Sequence, residues 1–198
     1  MANIMFYIGV DLGQKQDYTA IAVVERGDRK KLLVRHVERV PLGTSYPKVV
    51  DLVGAITQHE DLVGQCCLAV DATGVGTPVV DMLRDARLGC DICAVTITGG
   101  EREHKNGMTW SVPKRDLIAG VQVLMEQREL RIARGLKEAG PLMKELVGLR
   151  MTAGESGRVQ MGADAGEHDD LVIALALACW RARRAATVQY GLRQQRLI

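Results

Sequence analysis

The 198-residue chain has no apolar run long enough to cross a bilayer; the longest, Leu171 to Trp180, is half of the roughly 20 residues a span requires. No secretory signal opens it, so a cytoplasmic location without membrane contact is expected. A disulfide framework is also missing. The five cysteines are an odd number with Cys66 and Cys67 adjacent, which fits a reducing compartment. Cys90 and Cys93 have CxxC spacing, but no second pair and no nearby histidine accompany them, so small core residues are expected rather than a zinc or redox centre. Nor is there a strong charge of either sign. The net charge is +2, which by itself announces neither nucleic acid nor a membrane surface. Internal repeats, low-complexity tracts and linkers are lacking as well. Hydrophobic residues make up 47% and charged ones 25%, the balance of one ordinary globular domain over residues 1–198. The last acid is Asp170. Arg181, Arg183, Arg184, Arg193 and Arg196 follow it, a basic tail from about 181 to 198 that suits a solvated helix end or contact with phosphate.

What is present is an alternation of strand-like and helix-like segments. Met5 to Val10 is an apolar run too short for a helix and closed by Gly13, which predicts a strand buried on both faces. Tyr18 to Val24 and Leu32 to Val40 follow after short turns and predict an antiparallel meander. A helix from Pro47 would bury Val49, Val50, Val53 and Ile56. The strand Cys66–Asp71, a helix with Val79, Val80, Leu83 and Ala86 inward, and the strand Asp91–Ile97 form a β-α-β unit, so those strands should be parallel. The expected fold is therefore α/β, with a five-stranded mixed sheet flanked by helices. Thr98 to Ser111 is polar, lacks a period and reads as a loop. Pro113 opens a helix with Leu117, Ile118, Val121, Leu124 and Met125 inward, and Pro141 opens another with Leu142, Met143, Leu146 and Val147 inward. Arg158 to Met161 suggests a short strand, and the loop through Gly162, Asp164 and Gly166 delivers the chain to the final helix.

Three acidic positions stand out against this frame. Two buried strands end in Asp11 and Asp71, although a buried carboxylate costs several kcal/mol unless a cation or donors meet it. His168-Asp169-Asp170 opens the most apolar helix of the chain. Each has a plain reading: Asp11 and Asp71 as turn residues, and Asp169 or Asp170 as a helix N-cap. Together they point elsewhere. Carboxylates converging from two strand ends and a helix start would repel one another unless a divalent cation lay between them. Hard oxygen donors without a Cys/His cluster favour Mg²⁺ or Mn²⁺ over zinc.

With these residues in place, the chain resembles the ribonuclease H-like nucleases. In particular it is similar to the C-terminal nuclease domain of the large terminase subunit of tailed bacteriophages. The likeness rests on Val10-Asp11-Leu12-Gly13 with Asp17 six residues on, Ala69-Val70-Asp71 before Thr-Gly, Val112-Pro113-Lys114 at a helix start, and His168-Asp169-Asp170-Leu171-Val172 before an Ala/Leu helix. It runs from residue 5 to about 184. The resemblance implies a catalytic, metal-binding set of Asp11, Asp71 and Asp170, with Asp169 the alternative close behind; adjacent helical residues point about 100° apart, so the two would not bind one metal equally. It also implies Asp17 as an outer or second-metal ligand and His168 near the attacking water; a helix-entry role is the plainer reading of His168. Two ions about 3.5–4 Å apart would clamp the scissile phosphate, leaving a 5′ phosphate and a 3′ hydroxyl. Double-stranded DNA would be held by its backbone with little sequence preference. Candidates for that grip are Arg102, Lys105, Lys114, Arg181, Arg183 and Arg184, although Lys114 also reads as a solvated first-turn lysine.

By the same resemblance the partners would include an ATPase motor, a small terminase subunit and a portal, in the cytoplasm of the bacterial host. The chain has no G-x-x-x-x-G-K-[ST] phosphate loop, so the motor is absent from it. Holliday-junction resolvases, a related class, carry a further acid three residues beyond the last catalytic aspartate, where this chain has Ile173. Two readings compete. Asp-Leu-Gly and Asp-Ala-Thr-Gly after strands also resemble the phosphate turns of an actin-like or sugar-kinase ATP-binding lobe, though 198 residues supply only one lobe. A non-enzymatic docking module on the same scaffold is the other.

Overall fold

The computed structural model describes residues 4–13, 17–27, 31–74, 76–153, 159–162 and 168–195. Residues 14–16, the expected loop positions 163–166, Arg158 and Arg196 lie outside the described residues, as does the Arg193 side chain. β1 (Met5–Asp11), β2 (Thr19–Arg26) and β3 (Leu32–Val40) form the predicted meander. α1 (Tyr46–Thr57) leads to β4 (Cys66–Asp71), and α2 (Gly76–Asp85) to β5 (Asp91–Thr98). β4 lies parallel to both β1 and β5, as the β-α-β reading requires.

The five expected strands are the centre of a wider sheet. β6 (His104–Asn106) and β7 (Thr109–Pro113) extend one edge beyond β5, and β8 (Leu130–Ile132) pairs with β3 at the other, giving the order β6-β7-β5-β4-β1-β2-β3-β8. The segment 98–111 is thus not the loop its polarity suggested. It folds as an edge hairpin, whose outer strand is exposed and can be polar throughout. Its two-residue turn, Gly107-Met108, sets Gly107 at φ +59°, a conformation that glycine takes without steric cost. Trp110 on β7 meets Trp180 edge to face at 5.8 Å and fastens the hairpin to the last helix.

α3 (Lys114–Glu126), α4 (Ala139–Gly148), the pair β9 (Arg150–Ala153) and β10 (Val159–Gly162), and α5 (Asp170–Gln195) complete the chain. The sheet divides two apolar cores. α1 and α2 cover one face through Phe6, Ile8, Val10, Leu68 and Val70; α3, α4 and α5 cover the other through Tyr7, Ala69, Val95 and the buried run Leu171–Cys179. Three inward assignments fail. Ala86 is exposed beyond the end of α2. On α4, Met143 (41% exposed) and Val147 (79%) face outward and Glu145 takes the buried position three residues after Leu142. Among the described residues no helix is long and apolar enough to cross a membrane.

α5 crosses the centre of the sheet, and Gly9 lets it come close. A β-carbon at Gly9 would lie 1.9 Å from the Ala174 carbonyl oxygen and 2.7 Å from the Ala178 nitrogen. Helix and strand therefore meet backbone to backbone, which fixes where the helix starts relative to the strand ends.

Candidate metal centre

Side chains alternate across a strand, so every second residue shares a face. Tyr7 and Gly9 face α5, and the next residue in phase on β1 is Asp11; Cys67 and Ala69 face the same way on β4, and the next in phase is Asp71. The parallel register pairs Gly9 with Ala69 and Val10 with Val70, so the two aspartates leave neighbouring strands side by side. α5 begins at Asp170 over the same end of the sheet. A cleft of about 360 Å³ opens there, lined by Asp11, Asp17, Asp71, Asp169 and Asp170 together with Lys114, His168, Thr73 and Ile173.

Five carboxylates in one cleft leave an electrostatic signature. Burial pushes the Asp11 carboxyl well above the usual range, and the charges of Asp71, Asp170 and Asp169 push it further, against a smaller pull from Lys114. Burial also raises Asp71, although hydrogen bonds from Thr73 hold it down. Asp170 is raised by burial, opposed by His168 and Arg39.

Each acid has a different local setting. Asp71 Oδ1 accepts the Thr73 N–H at 2.8 Å and its hydroxyl at 2.5 Å, and the Thr73 oxygen accepts the Ile97 N–H at 2.9 Å, tying the end of β4 to β5. Asp169 Oδ2 is bonded to Lys114 Nζ at 2.6 Å across from the start of α3. Asp170 is 7% exposed, and its Oδ2 is buried without a hydrogen-bond partner. His168 is exposed, rests edge to face on Tyr18 at 5.2 Å, and holds Nδ1 3.6 Å from Asp170 Oδ2. Asp17 is exposed at the rim.

Two residues that the sequence reading passed over belong to this end of the molecule. Arg39, on the face of β3 shared with Val37, pairs with Glu145 and stacks its guanidinium on Tyr18 at 5.2 Å. Glu145 accepts the Val172 N–H at 3.0 Å, and burial raises its carboxyl to about 7. The available signal was a charged residue on the apolar stripe of an amphipathic helix, three positions from Leu142.

Of the predicted DNA contacts, only Lys114 lines the cleft. Arg181 is bonded to Asp91 at 2.5 Å, at the start of β5 and so at the opposite end of the sheet, as expected for a residue about 16 Å further along the helix from Asp170. Arg184 pairs with Glu103 and stacks on Trp110 at 3.8 Å. Arg183 borders a second cleft with Asp116 and Trp180. Arg102 and Lys105 are exposed at the edge hairpin, with Lys105 Nζ 5.6 Å from the Trp110 ring. Cys93 is buried in β5, and the five cysteines are free thiols.

Among the described residues no three acids, histidines or cysteines stand close enough to grip one ion as their side chains are set. The donor set nevertheless fits a hard divalent cation: all oxygens, one of them buried without a hydrogen bond, in a group whose members repel one another.

The family model described as the terminase RNaseH-like domain matches residues 8–181, from within β1 to α5. No curated protein matches the chain. Among solved structures, the large terminase nuclease of thermophilic phage G20c with bound magnesium is 25% identical over 89% of this chain and 81% of its own, with a TM-score of 0.67. The large terminase nuclease domain of bacteriophage SPP1 with bound manganese is 14% identical over 89% and 86%, with a TM-score of 0.58. The human cytomegalovirus terminase nuclease domain, soaked in manganese with an inhibitor bound, is 12% identical over 91% and 84%, with a TM-score of 0.59. The last two likenesses are of fold.

Proposed function

The chain belongs to the terminase ribonuclease H-like domain family, and from that premise we propose that it is a metal-dependent endonuclease cutting double-stranded phage DNA during genome packaging. The observation that carries this reading is the cleft at one end of the sheet, where Asp11, Asp71, Asp169, Asp170 and Asp17 gather and Asp170 keeps a buried oxygen without a hydrogen bond. The magnesium of the G20c nuclease and the manganese of the SPP1 domain support a divalent cofactor, Mg²⁺ or Mn²⁺; that two ions act together is part of the proposal.

In this reading Asp11 and Asp71 are ligands on rigid neighbouring strands, and Asp170 is a ligand on the helix above them. Asp169 serves as a further ligand when it leaves Lys114, and Asp17 contributes from the rim. Ions held there would supply an activated water and charge stabilisation for phosphodiester hydrolysis. His168, at the rim beside Asp170, is placed to hold a proton near that water. Lys114 lies where it can meet the scissile strand's phosphate. The basic hairpin and the Arg181–Arg184 group lie outside the cleft and would touch only DNA that extends past it. Ile173 stands where a junction resolvase would add an acid, which supports the terminase reading. Membership of this family favours a nuclease over the nucleotide-binding lobe. The ATPase motor, the small subunit and the portal would be partners on other domains or chains.

Plasmid cleavage tests the proposal. Mn²⁺ or Mg²⁺ should give nicked and linear products, and EDTA or Asp71→Asn should stop the reaction. A protein that leaves plasmid intact with every divalent ion sinks the assignment.

A further inference from the structure

Helix α5 begins at Asp170, and the Asp169 carbonyl accepts the Ile173 N–H at 2.9 Å, which makes Asp169 the N-cap residue. An aspartate in that position ordinarily turns its own carboxylate onto the N–H three residues ahead, here Val172. In this protein it does not. Val172 N–H is taken by Glu145 from α4, while the Asp169 carboxylate points to Lys114. The donor that the helix start would demand of its own aspartate is met from outside the helix.

Glu145 also engages a second group that competes for the acids. Arg39 pairs with the Glu145 Oε1 atom, leaving its Nε 3.7 Å from Asp170 Oδ2, beyond hydrogen-bond distance. Neither of those two buried atoms has a hydrogen-bond partner. A guanidinium released from Glu145 would find Asp170 as its nearest carboxylate.

We propose that Glu145 is a positioning residue that keeps the Val172 N–H and the Arg39 guanidinium off the Asp169-Asp170 pair, so that both carboxylates stay available to a divalent ion. The inference rests on the metal-centre reading above. Glu145 itself, 9% exposed beneath the helix, is an outer brace and not a ligand.

The test is titration of the protein with Mn²⁺ alone, followed calorimetrically, with thermal unfolding as a check on the fold. Glu145→Met fills the site without an acceptor and frees both groups; its Mn²⁺ affinity should fall about 10–100-fold, the usual cost of losing an outer-shell partner. Glu145→Gln keeps an acceptor for Val172 but loosens Arg39, so its loss should be smaller. The double variant Arg39→Gln with Glu145→Gln removes the loose cation, and its affinity should recover toward wild type. A purely structural role predicts no such recovery on adding a second substitution. Unchanged Mn²⁺ binding in the folded single variants, or a double variant no better than Glu145→Gln, overturns the assignment. If Glu145→Met does not fold, the comparison of Glu145→Gln with the double variant still decides. Wild-type protein that binds no Mn²⁺ removes the metal reading itself, a result distinct from either.

Discussion

Asp11 sits at the centre of the repulsion in the cleft, with burial and three neighbouring carboxylates all raising its pKa. Replacing it by asparagine removes the charge and keeps the shape. Asp11→Asn should therefore lose cleavage while the metal-free protein gains about 1 kcal/mol of stability, a trade-off typical of strained functional sites. Urea unfolding beside a plasmid assay reads both; a variant that is destabilised and still cuts contradicts this account of Asp11. Asp11 and Asp71 were legible in the sequence because strand parity and apolar runs determine both position and facing. The setting of Asp169 and Asp170 was only half legible, since an aspartate at a helix start reads as its cap until the partner of Val172 is known. Glu145 and Arg39 escaped because a charged residue in an amphipathic pattern is assigned outward by default. Only the tertiary contact between α4 and α5 reveals that the pair is turned in.

Among the elements, the β1–α5 contact sets the geometry of everything above it. Gly9→Ala puts a methyl group into the backbone of α5 at Ala174 and Ala178. The helix has to lift, at a cost of about 1–3 kcal/mol or more, as for other overpacked cores. Because the lift moves Asp170 relative to Asp11, cleavage should fall further than stability explains. A lowered melting temperature with wild-type activity would show that the helix start is not positioned by this contact. The strands and helices that carry the site have long apolar runs and regular periods, so their existence was readable. The β6–β7 hairpin was not, because an edge strand exposed to water needs no apolar alternation; its clue was the Asn106-Gly107 turn signal. The outward Val147 escaped for a different reason: apolarity assigned it to the inward stripe with Leu142, and the helix instead turns Glu145 inward.

For the molecule as a whole, the acids couple folding to pH and, on the proposed function, to metal. Asp11, Asp71, Asp170 and Glu145 all have folded-state pKa values above their ordinary ones. A carboxyl raised in this way contributes stability that is present below its unfolded value and is lost as pH rises through the folded one. For Glu145 that window runs from its ordinary value of 4.5 to about 7. Metal-free protein should therefore melt at a lower temperature near pH 8 than near pH 5. Mn²⁺ should reverse the loss at the higher pH, by ~2.7 kcal/mol when free ion is about 100 times Kd. A melting temperature that is flat with pH and indifferent to Mn²⁺ would mean that the carboxylates do not share one field.

The most direct test of the whole account is a crystal soaked in Mn²⁺ and examined by anomalous scattering. The account predicts density between the ends of β1 and β4 and the start of α5, bonded to Asp11, Asp71 and Asp170. Manganese bound away from those three carboxylates, or absent from the crystal, contradicts it.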